Sequence, residues 1–374
     1  GAFLLGVTAF LLWSWYLRRW PMFGGSARVA RLARVLTLGL VVVCAVAASL
    51  AGFVYYLIHT SPVYTAASPT PSHPGELRTL TRVGRLPQQI VGRLLSAGGL
   101  DEGSPTVTGL TLYRVEYTTR RQDDSLTVAS GLLVRPDVPP RAVISYQHGT
   151  NTYRNATPSA PTMGESVLVA ALYGGGGYMV TAPDYIGLGT STEQHPYLVA
   201  KPTANAVVDL LKAAKEASAM LETAWSPKVL LFGFSQGGHA TMVAHRALEA
   251  LNDPDCQVVA SAPVAGPFNL SGISFPAAME GISESDSVYL GYLVTGYCRA
   301  YGQPLNSVVR EPYATKLPAL FDGDPGVENF SSVLPRNPRE MFSPEFLADF
   351  DQKRPHWLLQ ALEANDAYAW SPKA

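Results

Sequence analysis

Charge is scarce in this chain. Of 374 residues, 28 are Lys or Arg and 29 are Asp or Glu, for a formal net charge of −1. So even a balance offers no basic stripe for nucleic acid and no strong field for acidic partners. Histidine numbers 7 and cysteine 3, scattered without ligand spacing, so neither a metal nor another cofactor is expected. Internal repeats are absent. The glycine run Gly174–Gly177 is not followed by Lys-Ser/Thr and leads into a strand rather than out of one, which excludes a phosphate loop.

Apolar residues are plentiful but unevenly placed. Residues 1–17 and 35–58 carry no charge, and a membrane-spanning helix needs roughly 20 apolar residues. Between them lie Arg18, Arg19, Arg28, Arg31 and Arg34 with no acidic residue, and Trp13, Trp15, Tyr16 and Trp20 form an interfacial belt. A signal peptide has its charges before the apolar run, whereas here they follow it. The expectation is two transmembrane helices in a membrane region 1–60, with the positive loop in the cytoplasm and the rest of the chain on the extracytoplasmic side. A start at Gly1 leaves room for further spans upstream. Cys44 falls in the second apolar run. Cys256 and Cys298 both fall in the exported part, where an oxidising compartment permits them to pair.

Ser61–Pro74 is rich in Pro, Ser and Thr and reads as a semi-stiff tether, with a linker over 61–78 and a folded domain over 79–374. Helical spacing over Leu86–Ala97 predicts an opening helix. Leu112–Thr119 and Leu126–Val134 read as a hairpin. Strands at Ala142–Gly149, Tyr178–Ala182, Val229–Phe234 and Val258–Val264 alternate with helices at Glu165–Leu172, Thr203–Leu221 and Gly238–Leu251. Short continuous apolar strands between helices predict a mostly parallel α/β sheet covered on both faces. Past Gly266 the rhythm fails. Residues 267–344 are rich in Pro, Gly and Ser around one apolar stretch, Val288–Tyr301, and read as a lid-like insertion.

Gly233-Phe234-Ser235-Gln236-Gly237 fits G-x-S-x-G with an apolar strand before it and a helix-forming segment after it. That setting forces the serine into a strained turn and exposes its hydroxyl at the positive end of the next helix. Ser235 is therefore the candidate nucleophile. With SYQHGTNT (Ser145–Thr152), GGYMVTAPDYIGLG (Gly176–Gly189) and FGFSQGGHA (Phe232–Ala240), in that order, the chain from about Leu80 onward resembles an α/β-hydrolase, and specifically the bacterial relatives of the secretory lipase family.

The resemblance implies an oxyanion hole formed by the backbone N–H of Gln236 and by a donor from the loop His148–Asn151, with Thr150 and Asn151 both candidates. It also implies the order Ser, acid, His along the chain, so His148 and Asp184 come too early and read as loop-shaping residues. His239 and His245 lie on the helix behind the serine, where neither reaches an outward-facing hydroxyl. His356, with Asp322 or Asp324, is an in-chain alternative, but it needs a strand leading to each loop, and Val327–Pro355 shows no strand-like alternation. The resemblance instead places the acid after a strand beginning beyond Ala374, so the triad acid and base are expected downstream of this sequence.

The function expected is a membrane-anchored serine hydrolase of lipid or small-molecule esters, working through an acyl-enzyme. An acyltransferase, a peptidase or a non-catalytic hydrolase-like interaction module are the alternatives.

Overall fold

The computed structural model describes residues 62–100, 107–160, 165–324 and 330–373. Both expected spans, 1–17 and 35–58, lie outside the described residues. Among those described, no helix is long and apolar enough to cross a membrane.

Eight strands form one sheet. In chain order they are β1 (Pro62–Thr65), β2 (Leu77–Leu86), β3 (Leu110–Arg120), β4 (Leu126–Pro136), β5 (Val143–Gln147), β6 (Met179–Pro183), β7 (Lys228–Phe234) and β8 (Gln257–Val264). Their spatial order is β1-β2-β3-β4-β6-β5-β7-β8. The β1–β2, β2–β3, β3–β4 and β4–β6 pairs are antiparallel, whereas β5–β6, β5–β7 and β7–β8 are parallel. The sheet is thus mixed, not mostly parallel as expected. The difference lies at its N-terminal end, where β2 went unread and part of the expected linker, Pro62–Thr65, pairs with it as a strand. β2 is buried only at Leu77, Arg78, Leu80 and Thr81, and its sequence LRTLTRVGRL interleaves arginines with apolar residues and lacks the continuous run that marks a central strand.

Periodicity of two divides the core. Leu132 and Val134 on β4 face one layer with Val91, Leu95, Tyr146 and Val169, while Leu133 between them faces the other with Leu210, Leu231 and Leu248. The first layer is covered by α1 (Gln88–Ala97) and α2 (Glu165–Val169), which runs on into a wider turn over Ala170–Gly174. The second is covered by α3 (Ala200–Met220) and α4 (Gln236–Leu251), which also pack on each other. Strands β5 and β6 are buried at every residue. Cys256 joins the second layer and Cys298 lies elsewhere, in the insertion. Both are buried free thiols, so the permitted pairing does not occur.

The insertion is not irregular. It holds α5 (Phe275–Met279), α6 (Asp286–Ala300), α7 (Tyr313–Leu320) and α8 (Phe330–Val333), followed by α9 (Pro344–Asp351) and α10 (Trp357–Ala364). The apolar stretch Val288–Tyr301 is mostly α6, and most of it is buried. Leu290, Tyr292, Leu293, Val294 and Tyr297 join Phe275, Leu317, Phe342, Phe346 and Leu358 in a core of their own. Burial of that many large side chains explains why an aromatic-rich run sits in a Pro- and Gly-rich segment: it is a third hydrophobic core.

Candidate active site

Ser235 stands between the end of β7 and the first turn of α4, with φ 57° and ψ −121°. A non-glycine residue there is strained, and the surrounding glycines explain how the strain persists. A Cβ on Gly237 would run into the carbonyl of Gln147 on β5, and one on Gly233 into the carbonyl of Gly237. Gly238 meets the next strand: its Cβ would lie 2.6 Å from the Val264 carbonyl oxygen. The serine's own N–H donates to that same oxygen at 2.9 Å, and its carbonyl accepts from Gly238 at 2.9 Å. Among the described residues, the half-buried Ser235 Oγ has no hydrogen-bond partner and the Gln236 N–H no acceptor, at the N-terminus of a sixteen-residue helix.

The loop after β5 passes directly over this elbow. A Cβ on Gly149 would sit 3.5 Å from the Phe234 carbonyl oxygen and 3.8 Å from Ser235 Cβ. Both candidate oxyanion residues spend their side chains on holding the loop. Thr150 Oγ1 bonds Tyr197 Oη at 2.7 Å. Asn151 accepts from the Tyr153 N–H at 2.9 Å and donates to the Ala156 carbonyl. From the insertion, Tyr292 Oη donates to the Asn151 carbonyl at 3.0 Å. What remains for chemistry is backbone: the N–H groups of Thr150 and Asn151 find no acceptor among the described residues.

His148 and Asp184 are loop-shaping residues. His148 places Nδ1 2.7 Å from the Gly149 carbonyl and packs tilted against Tyr185. The buried Asp184 carboxylate accepts from the hydroxyls of Ser130 and Ser159, each at 2.5 Å, and from the Ser159 N–H at 2.9 Å.

The remaining histidines are engaged elsewhere. His239 is fully buried behind the elbow with Nε2 3.0 Å from the Asn365 carbonyl, and burial drives its pKa down to about 4. His245, about 15 Å up α4 from the serine by helical rise, places Nδ1 3.0 Å from Ser261 Oγ and Nε2 3.2 Å from Glu249. That Ser–His–carboxylate chain lacks what the elbow has, because Ser261 lies in the middle of β8 with no helix N-terminus beneath it. His356 caps α10, its Nδ1 accepting from Leu358 at 3.1 Å while its ring packs on Phe346. Asp322 and Asp324 stand in an exposed loop, where Arg154 holds the carbonyls of Asp322 and Gly323. No hydrogen bond joins His356 to Asp324 or either to Ser235, so the structure does not assemble the in-chain alternative among its described residues.

One side chain at the site escaped sequence reasoning. His195, in the stretch EQHPYLV, is buried among Tyr185, Tyr197 and Tyr292, with Nε2 2.8 Å from the carboxamide nitrogen of Gln236. Nothing in its spacing, 41 residues before Gln236, announces the contact.

A model of the secretory lipase family matches residues 155–278. Among solved structures, a protein described as a hydrolase from Legionella pneumophila is 31% identical with a TM-score of 0.72, over 79% of this chain and 81% of the other. The rice cell wall degrading esterase LipA from Xanthomonas oryzae, in a ligand-bound form, is 25% identical with a TM-score of 0.68, over 81% of each chain. Lipase A from Candida antarctica in its closed state, 16% identical with a TM-score of 0.58 over 82% of this chain and 70% of its own, shares the fold. Among curated protein sequences, none matches.

Proposed function

The chain belongs to the lipase-like α/β-hydrolases related to the secretory lipases, and from that premise we propose that it cleaves carboxylic esters through Ser235. Ser235 Oγ attacks the ester carbonyl, the alcohol leaves, and water releases the acyl group from the enzyme. The backbone N–H groups of Gln236 and of Thr150 or Asn151 receive the oxygen that becomes negative, an arrangement in which one donor commonly contributes about 3–4 kcal/mol. The observation that carries this reading is the serine held at positive φ with an unpartnered hydroxyl, beneath a loop whose amides are also free.

The charge-free runs 1–17 and 35–58, with arginines between them, support a tether that keeps the hydrolase domain at the extracytoplasmic face of a membrane. The test is covalent. A fluorophosphonate probe labels the full-length protein at Ser235, a short-chain p-nitrophenyl ester is turned over, and Ser235→Ala abolishes both. A protein that ignores the probe, or an alanine variant that still hydrolyses the ester, overturns the proposal.

A further inference from the structure

We propose that His195 is a positioning residue, which holds the Gln236 carboxamide so that the backbone N–H of Gln236 faces the oxygen of the reacting group above Ser235. The inference rests on Ser235 being the nucleophile.

The hydrogen-bond network fixes the ring. His195 Nδ1 lies 2.7 Å from the Ile186 carbonyl oxygen. A carbonyl only accepts, so Nδ1 carries the proton and Nε2 presents a lone pair. The group 2.8 Å from that lone pair must therefore be the NH₂ of Gln236, which donates to it. Gln236 is the first residue of α4 and is buried, and its Oε1 has no partner. One hydrogen bond thus sets the orientation of the side chain next to the nucleophile. Turning the carboxamide over would bring Oε1 against the bare Nε2, so the neutral ring permits one orientation only.

His195 is itself held from both sides. A Cβ on Gly296 of α6 would sit 2.7 Å from the His195 carbonyl oxygen, so the insertion helix packs on this backbone. Tyr185 stacks on the ring at 5.8 Å, and Tyr292, which also holds Asn151, lies 5.5 Å away. The titratable groups around the ring are His148, Tyr185, Tyr197 and Tyr292. Burial keeps the imidazole neutral above a pKa of about 4. The ring therefore joins the elbow to the same insertion that positions the oxyanion loop.

The experiment compares the second-order rate of fluorophosphonate labelling in the full chain, with melting temperature measured alongside. His195→Phe fills the space but accepts nothing, and labelling is expected to slow about tenfold. His195→Gln can donate to Ile186 and accept from Gln236, and should recover much of the loss. Gln236→Leu removes the same bond from the other side and serves if His195→Phe does not fold. The double variant should be no slower than the slower single one, because both delete one interaction. A His195 that only supported the fold would instead slow labelling multiplicatively with Gln236→Leu, which overturns the inference, as does His195→Phe labelling at the wild-type rate. Failure of the wild type to label removes the Ser235 reading and this inference together, whereas a normally labelled His195→Phe removes the inference alone.

Discussion

The two halves of the site are built by opposite means. The turn of the elbow is made by its neighbours in sequence: Gly233, Gly237 and Gly238 let β7, α4 and β8 close around Ser235. The oxyanion loop's glycine, Gly149, would accept a Cβ at ordinary contact distance, 3.5 Å from the Phe234 carbonyl oxygen. The loop is pinned by hydroxyls from far along the chain, Tyr197 on Thr150 and Tyr292 on Asn151. The difference teaches that a strained turn can be written into a short motif, while a loop of free amides needs outside support to stay in place.

The largest effect should come from the serine. Ser235→Ala is expected to lower ester turnover by at least about 10³-fold with little change in melting temperature. Ser235→Gly should be equally inactive but more stable, by about 1 kcal/mol, because glycine tolerates φ 57°. Equal stability of the two variants would mean that the elbow stores no strain.

Next in size is Gly237→Ala, which drives a methyl into the Gln147 carbonyl. Backbone on both sides cannot yield, so a loss of about 3 kcal/mol or more is expected in urea unfolding. A wild-type midpoint would break the contrast drawn above.

Acid tests the buried rings behind the two halves. His195 and His239 have folded pKa values of about 4, below the ordinary 6.5. A depressed histidine contributes stability that is fully present above pH 6.5 and is lost as pH falls towards 4. The unfolding free energy from urea titration should drop across that window by a few kcal/mol in total, with the midpoint following it, and by less in His195→Gln. An unchanged midpoint would show that the rings are not neutral in the fold.

Smaller still is Tyr292→Phe, which deletes one donor to the loop and leaves the elbow intact. About 1 kcal/mol should go from stability, with labelling of Ser235 slowed a few-fold. If Tyr292→Phe were silent while Gly237→Ala unfolded the chain, the insertion would not be what holds the loop.

Asp209 gives a control remote from both halves. Burial raises its pKa to about 6, with the Thr119 hydroxyl donating to it at 2.8 Å. A raised carboxyl pKa favours the fold at low pH and costs stability as pH rises through 6. Asp209→Asn should therefore gain about 1 kcal/mol at pH 8 and nothing at pH 3.5, with activity unchanged.

Much of the sheet was legible because central strands are continuous apolar runs: β5, β6 and β7 lie within a residue or two of their expected ranges. The antiparallel end was less so, since β2 alternates arginine with apolar residues and β1 is short enough to pass for a tether. The insertion's core was not legible for another reason. Apolar residues in α6 signal burial, but periodicity does not say against what, and much of the partner is the insertion's own helices. Whether Cys256 and Cys298 pair was not legible either, since spacing carries no distance.

By itself, the sequence determined the elbow. Glycines two residues either side of Ser235, between a strand and a helix, let the backbone close into a turn that a side chain at either position would block. The tertiary structure alone decided which distant groups steady the amides around it. Tyr197, Tyr292 and His195 reach the site by packing across the fold, and such contacts depend on three-dimensional proximity that no local pattern of residue types encodes.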